Sequence, residues 1–210
     1  MMRRTGTGAA SLLAAFALMT GPALAHHVMD RQLPATFVEG LLSGLGHPII
    51  GIDHFIAVVA IGCLAALHRN GSALAIGFVL AMIAGAAVHV RSATVPGGEI
   101  LIALTLMILG AAMLLHRRIS PAVAIALFAA VGLVHGYALG ESIYGAESTP
   151  LAAYFTGLAV IQTAIALTAM AVVRALSRSW TADLLPLRLV GAGIAGFGFA
   201  ALAQQLMPGA

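Results

Sequence analysis

Charge is scarce in this chain of 210 residues: 8% of its residues are charged against 61% hydrophobic, and none is lysine. Water-soluble domains carry about 25% charged residues, so that class is excluded and the chain reads as an integral membrane protein. The missing lysine also removes the Walker A pattern G-x-x-x-x-G-K-[ST], and with it ATP hydrolysis by that route. All 10 basic residues are arginines, placed singly or in pairs, which leaves no polybasic surface and argues against a nucleic-acid partner. The single cysteine, Cys63, sits in an apolar run. It has no partner for an intrachain disulfide or a thiolate metal cluster, and it reads as a packing residue. Aromatic residues are few at 6%, and Tyr137, Tyr144, Tyr154 and Trp180 fit an interfacial belt.

Two domains follow from the distribution of polarity. Residues 1–25 read as a secretory signal peptide: Arg3 and Arg4 form the positive region, Ala9 to Met19 the apolar core, and Ala23-Leu24-Ala25 an A-x-A cleavage site. Residues 26–210 form the transmembrane domain. Cleavage after Ala25 makes His26 the mature amino terminus and His27 its second residue.

The expected fold class is all-α, a polytopic transmembrane helix bundle with six spans and a short re-entrant or interfacial helix after the cleaved leader. Leu33 to Gly46 is too brief to cross a hydrocarbon core roughly 30 Å thick. Six longer apolar segments follow, about Gly51–Leu67, Ser72–His89, Glu99–Leu115, Pro121–Leu139, Pro150–Val173 and Pro186–Met207. Their links are short and rich in helix stops, so no link holds a soluble domain. With the mature amino terminus outside, Arg69, Arg117, Arg118, Arg174, Arg178 and Arg188 fall in the cytoplasm, against Arg31 and Arg91 outside. The positive-inside rule and the leader thus agree on an inner-membrane, multi-pass protein with a periplasmic amino terminus. Small residues at Ala81, Ala84, Gly85 and Ala86, and at Gly191, Gly193, Gly196 and Gly198, read as close helix packing.

Within this apolar background, the run His47-Pro48-Ile49-Ile50-Gly51-Ile52-Asp53-His54 stands out. Ionisable side chains at a membrane boundary need a partner, water or a metal. His47 and His54 are seven residues apart, two turns of a continuous helix. Pro48 and Gly51 point instead to a break, with Pro48 near a helix start and freed backbone groups facing a cavity. On the topology above, His135 and Glu141, toward the outer end of a later span, can converge with His47, Asp53 and His54. Imidazole suits nickel, copper, zinc or cobalt, whereas magnesium and calcium favour oxygen. Asp53 is either a ligand or an acceptor that holds a histidine tautomer. The processed amino terminus offers a second arrangement, in which the α-amine, the amide nitrogen of residue two and the His27 imidazole form a tetragonal field suited to nickel(II) or copper(II).

Other polar residues have simpler readings. His68 and His116 adjoin arginines and read as interfacial or capping groups. His89 ends a span near the proposed site, and Glu99 favours the helix dipole at the start of the third span. Gln162, Thr163 and Thr168 are read as satisfying one another or a backbone carbonyl between helices.

These residues resemble the HupE/UreJ family of membrane proteins, associated with nickel supply to hydrogenase and urease. The family's first signature, H-x5-D-H, is matched in full by His47, Asp53 and His54. Its second, roughly F-H-G-x-A/V-H-G-x-E, is matched by His135, Gly136, Ala138 and Gly140. Val134 replaces the phenylalanine, Leu139 replaces the second histidine, and Glu141 comes one place early. The resemblance implies a nickel or cobalt permease, with His47, Asp53, His54, His135 and Glu141 along the metal path and His26 or His27 able to replace the missing imidazole. No prosthetic group is expected: the metal is cargo, nickel first, with cobalt or copper as alternatives. The expected partners are that ion, the lipid bilayer, and either a second copy of the chain or a separate energising subunit. No serine or cysteine nucleophile pattern stands near the motifs, so a non-enzymatic role is expected. A membrane metalloenzyme and a metal sensor or accessory protein are the competing classes.

Overall fold

A computed structural model of the chain describes residues 33–91, 96–115, 119–180 and 184–207. The expected leader, with His26 and His27, lies outside the described residues. Among the described residues the regular structure is helical throughout: α1 (Phe37–Ile50), α2 (Ile52–Ala65), α3 (Gly71–Arg91), α4 (Gly98–Leu114), α5 (Pro121–Glu141), α6 (Ser148–Leu176), a short 3-10 turn (Ser177–Ser179) and α7 (Leu185–Leu206).

Four helices, α3, α5, α6 and α7, are long and apolar enough to cross a membrane, and α1 with α2 makes a fifth span if that pair, bent by 79°, is counted as one. The apolar helix α4 has 17 residues, at the lower edge of what a bilayer requires. The short segment expected to precede the first span is a helix of its own, α1, of 14 residues, set off from the equally long α2 by the sharp bend at Gly51; the pair has the form of a broken span or a re-entrant loop. Each half is roughly 21 Å long at the usual helical rise, too short to span alone.

Local chemistry explains where these helices start and stop. Thr36 caps α1: its hydroxyl accepts from the Glu39 amide at 3.2 Å, and the Glu39 carboxylate accepts from the Ala35 and Thr36 amides at 2.8 and 3.2 Å. This reciprocal box satisfies backbone donors that a helix start otherwise leaves open. Ser120 caps α5 through the Val123 amide at 3.3 Å, with Pro121 following at the first turn. The break lies at Gly51, which leaves helical angles (φ −74°, ψ 93°) while its amide still donates to the His47 carbonyl at 2.9 Å. Pro48 is therefore in the last turn of α1, not at a helix start, where it removes one donor from the turn that the chain is about to leave.

Packing then follows small residues. Water-driven burial gives little between helices in lipid, so association rests on close contact. A Cβ at Gly44 would collide with the Tyr154 carbonyl of α6, and one at Gly136 would collide with the Met82 carbonyl of α3. These two glycines let α1 lie on α6 and α5 lie on α3. Contacts at Gly40–Pro150, Gly44–Tyr154 and Gly62–Ala166 show α1 and then α2 following α6 in the same direction. Helix α4 pairs with α7 in the opposite direction, through Gly110 with Ala195 and Gly198 with Ala103. The expected small-residue stripe on α7 is thus half right: Gly191 and Gly198 pack, while nothing among the described residues approaches Gly193 or Gly196. Phe78, Phe128, Leu106, Leu109 and Leu158 fill the core, and Leu80, Leu189 and Phe199 lie exposed on outer helix faces, as a lipid-facing surface requires.

Candidate metal site

His54 stands in the first turn of α2, just past the break, and is buried. Its Nδ1 lies 3.0 Å from Nδ1 of His135, a fully buried residue of α5 two turns before that helix ends. The other ring nitrogen of His135, Nε2, lies 2.9 Å from the Thr105 hydroxyl of α4, and that hydroxyl donates to the Ile102 carbonyl at 2.7 Å. Three helices therefore meet in one polar chain through a largely apolar interior.

His47, from the last turn of α1, faces the same place. Its ring centroid lies 6.3 Å from that of His54 and 6.3 Å from that of Tyr154, which it meets edge-on. The 79° bend, not a continuous helical face, brings the two signature histidines together. Asp53 precedes His54 and is partly buried. Gly51 is required by this arrangement, because a Cβ there would stand 2.9 Å from the His54 ring carbon Cδ2 and 3.4 Å from an Asp53 carboxylate oxygen. The converging groups do not form a closed cage. Among the described residues, no three His, Cys, Asp or Glu side chains are gathered closely enough to hold one ion.

Tyr154, expected in an interfacial belt, is instead fully buried. Its hydroxyl donates to the Leu139 carbonyl at 2.8 Å and lies 3.0 Å from the Ser142 hydroxyl, which itself donates to the Leu139 carbonyl at 3.0 Å. Leu139, where the second signature has histidine, is buried in the apolar core. The missing imidazole is thus replaced by packing, and the backbone there is held by a tyrosine and a serine.

Glu141 is exposed. It lines a cavity of about 430 Å³ between the ends of α3, α4 and α5, together with Glu99, His89 and Tyr137. His89 is buried with its ring centroid 4.4 Å from that of Tyr137, and its Nδ1 has no hydrogen-bond partner among the described residues. His68 lies at the opposite end of the bundle in the link after α2, where partial burial lowers its pKa below the usual histidine value. Gln162 departs from expectation: it is buried in α6, and neither its amide nitrogen nor its oxygen has a hydrogen-bond partner among the described residues.

Sequence reasoning missed Thr105, Ser142 and the buried role of Tyr154. A lone hydroxyl inside an apolar segment was the available signal for Thr105, but threonines in membrane helices commonly bond their own backbone, and Thr105 does that as well.

The family described as HupE / UreJ protein matches residues 13–201 of the chain. Protein HupE of Rhizobium leguminosarum bv. viciae is 35% identical over 132 residues, a stretch covering 61% of this chain and 64% of that protein. The chain therefore aligns with somewhat less than two thirds of the curated relative's length. No solved structure matches.

Proposed function

Because the chain belongs to the HupE/UreJ family, we propose that it is a membrane permease taking up a divalent transition metal, nickel first and cobalt second. The observation that carries this reading is the meeting of His47, Asp53 and His54 at a broken helix, with His54 bonded to His135 of another helix. A buried imidazole pair in an apolar bundle has no packing purpose that leucine would not serve better.

In this reading α4 and the bent α1–α2 pair both cross the bilayer, giving six spans in the inner membrane. A cleaved leader leaves the amino terminus in the periplasm. The cation sheds water near the outer face and exchanges it for imidazole nitrogen and carboxylate oxygen from His47, Asp53 and His54, which must draw closer together than they stand here to hold it. His26 or His27 completes the coordination, in place of the histidine that Leu139 replaces. Glu141, lining the neighbouring cavity, belongs to the approach. Passage inward requires binding strong enough to select and weak enough to release, which an open, incompletely caged site favours. With no P-loop, movement follows the ion gradient, a coupled ion or a separate energising subunit.

Uptake of nickel into proteoliposomes tests the reading. Wild type is expected to transport and His54→Ala is expected not to. Nickel bound by wild type without flux would overturn the permease reading in favour of a sensor or a membrane metalloenzyme.

A further inference from the structure

The hydroxyl of Thr105 has a single proton, and it is committed: the Ile102 carbonyl, 2.7 Å away, can only accept. The contact of that same oxygen with His135 Nε2 at 2.9 Å must therefore be donated by the ring. A neutral imidazole carries one N–H, so His135 with hydrogen on Nε2 has a bare Nδ1. That nitrogen lies 3.0 Å from His54 Nδ1, which must then be the donor. The remaining nitrogen of His54, Nε2, then carries a lone pair and no proton. Donor counting along the contacts Ile102, Thr105, His135 and His54 thus fixes every proton in the network.

We propose that Thr105 and His135 form a hydrogen-bond relay that fixes the His54 tautomer, so that His54 meets the cation through Nε2 while His135 positions it and does not ligate. The metal part of this proposal rests on the permease reading above; the relay itself does not. Metal-bound histidines regularly donate their second N–H to a partner that sets ring orientation and raises ligand basicity. The partner here is an imidazole, itself held by a threonine of a third helix. A bare Nδ1 on His135 is engaged with His54, and its Nε2 is engaged with Thr105. To serve as a ligand, His135 would have to give up one of these bonds in a fully buried place.

The test has one arm without metal and one with it, both on the full chain in detergent micelles. In the first, nitrogen NMR of protein labelled with 15N-histidine is expected to show one ring protonated at Nδ1, His54, assigned by its loss in His54→Gln. Thr105→Val is expected to remove the preference for that tautomer and Thr105→Ser to restore it. In the second, nickel titration is expected to weaken by about 10- to 100-fold in Thr105→Val, the usual effect of removing an orienting partner, with recovery in Thr105→Ser. His135→Asn, whose side-chain oxygen can accept in place of Nδ1, is expected to weaken binding less than His135→Leu. The number of imidazoles on nickel, read by X-ray absorption, is expected to stay the same in His135→Asn. Loss of one imidazole there, or an Nε2-protonated His54 in wild type, would overturn the proposal. If Thr105→Val does not fold, the wild-type tautomer and the two His135 variants still decide it. Wild type that shows the relay but neither binds nor transports nickel would sink the permease reading and leave the relay standing.

Discussion

At one end of the bundle, Arg174 donates to the Ala66 and His68 carbonyls at 3.5 and 2.8 Å, and Arg188 donates to the Leu114 carbonyl at 3.1 Å. Those carbonyls lie at or just past the ends of α2 and α4, where a cation meets spare acceptor capacity and the negative end of a helix dipole. Toward the other end, polar side chains turn inward: His54 bonds His135, His135 bonds Thr105, and the Tyr154 and Ser142 hydroxyls meet on the Leu139 carbonyl. The first arrangement finishes helices and lets water solvate whatever is left over. The second costs desolvation of every member, and only its Tyr154 and Ser142 hydroxyls also serve a helix end, through the Leu139 carbonyl. That contrast separates the groups kept for architecture from those kept for chemistry. It can be broken or sharpened at particular residues.

The strongest blow to the inward network that spares its polar atoms is Gly51→Ala. The added carbon would stand 2.9 Å from His54 Cδ2, and the ring cannot swing clear because His135 holds its other edge. Nickel affinity is expected to fall by about 10- to 100-fold, the range for a displaced ligand support. Helical content by circular dichroism is expected to hold. Affinity equal to wild type would mean that the break and the imidazole pair are independent.

Tyr154→Phe removes a hydroxyl but keeps the ring that meets His47 edge-on. Ser142 still donates to the Leu139 carbonyl, so one acceptor bond is lost without orphaning its partner. The expected loss is about 1 kcal/mol, the usual net worth of a hydrogen bond, measured by denaturant titration in micelles. Nickel affinity is expected to change far less than in Gly51→Ala. A loss of affinity as large as that of Gly51→Ala would make Tyr154 part of the site.

Gln162 is the polar group that belongs to neither arrangement, since its buried amide has no hydrogen-bond partner among the described residues. An unpaired buried amide costs about 1–3 kcal/mol, whereas methionine has similar reach and no such demand. Gln162→Met is therefore expected to raise stability by about 1 kcal/mol in the same titration. A decrease would show that the amide is satisfied by bound water.

The signature run was legible in the sequence because three ionisable residues within eight positions of an apolar chain serve no packing purpose, and the break between His47 and His54 was legible from Gly51. The placement of Pro48 was not, since proline is tolerated in a final turn when the helix is about to end. Helix spacing also could not show that α1 and α2 would follow α6 in sequence. Tyr154 and Gln162 were misread for one reason. An aromatic hydroxyl or an amide within an apolar run is equally suited to an interface, a partner helix or a buried network, and only the packing of α5 and α6 decides which. Leu139 shows the reverse case: its departure from the second signature was plain in the sequence, and the structure shows core packing where an imidazole would have stood.

The smallest expected effect belongs to the arginine end. Arg174 is exposed, and its guanidinium caps the α2 terminus from solvent, so water can replace most of what it gives. Arg174→Met is expected to cost about 0.3–1 kcal/mol, the range for a cation at a helix carboxyl end, with nickel affinity unchanged. Helix α2, of 14 residues, separates this end from Gly51 by roughly 21 Å. Two perturbations that far apart with no shared partner should add to within about 0.5 kcal/mol. The double variant Gly51→Ala with Arg174→Met should therefore show the affinity of the first and a stability equal to the sum of both changes. Coupling larger than that would mean α2 moves as a rigid lever between the arginine cap and the histidine pair. The two ends would then be parts of one device, and the contrast between them would fail.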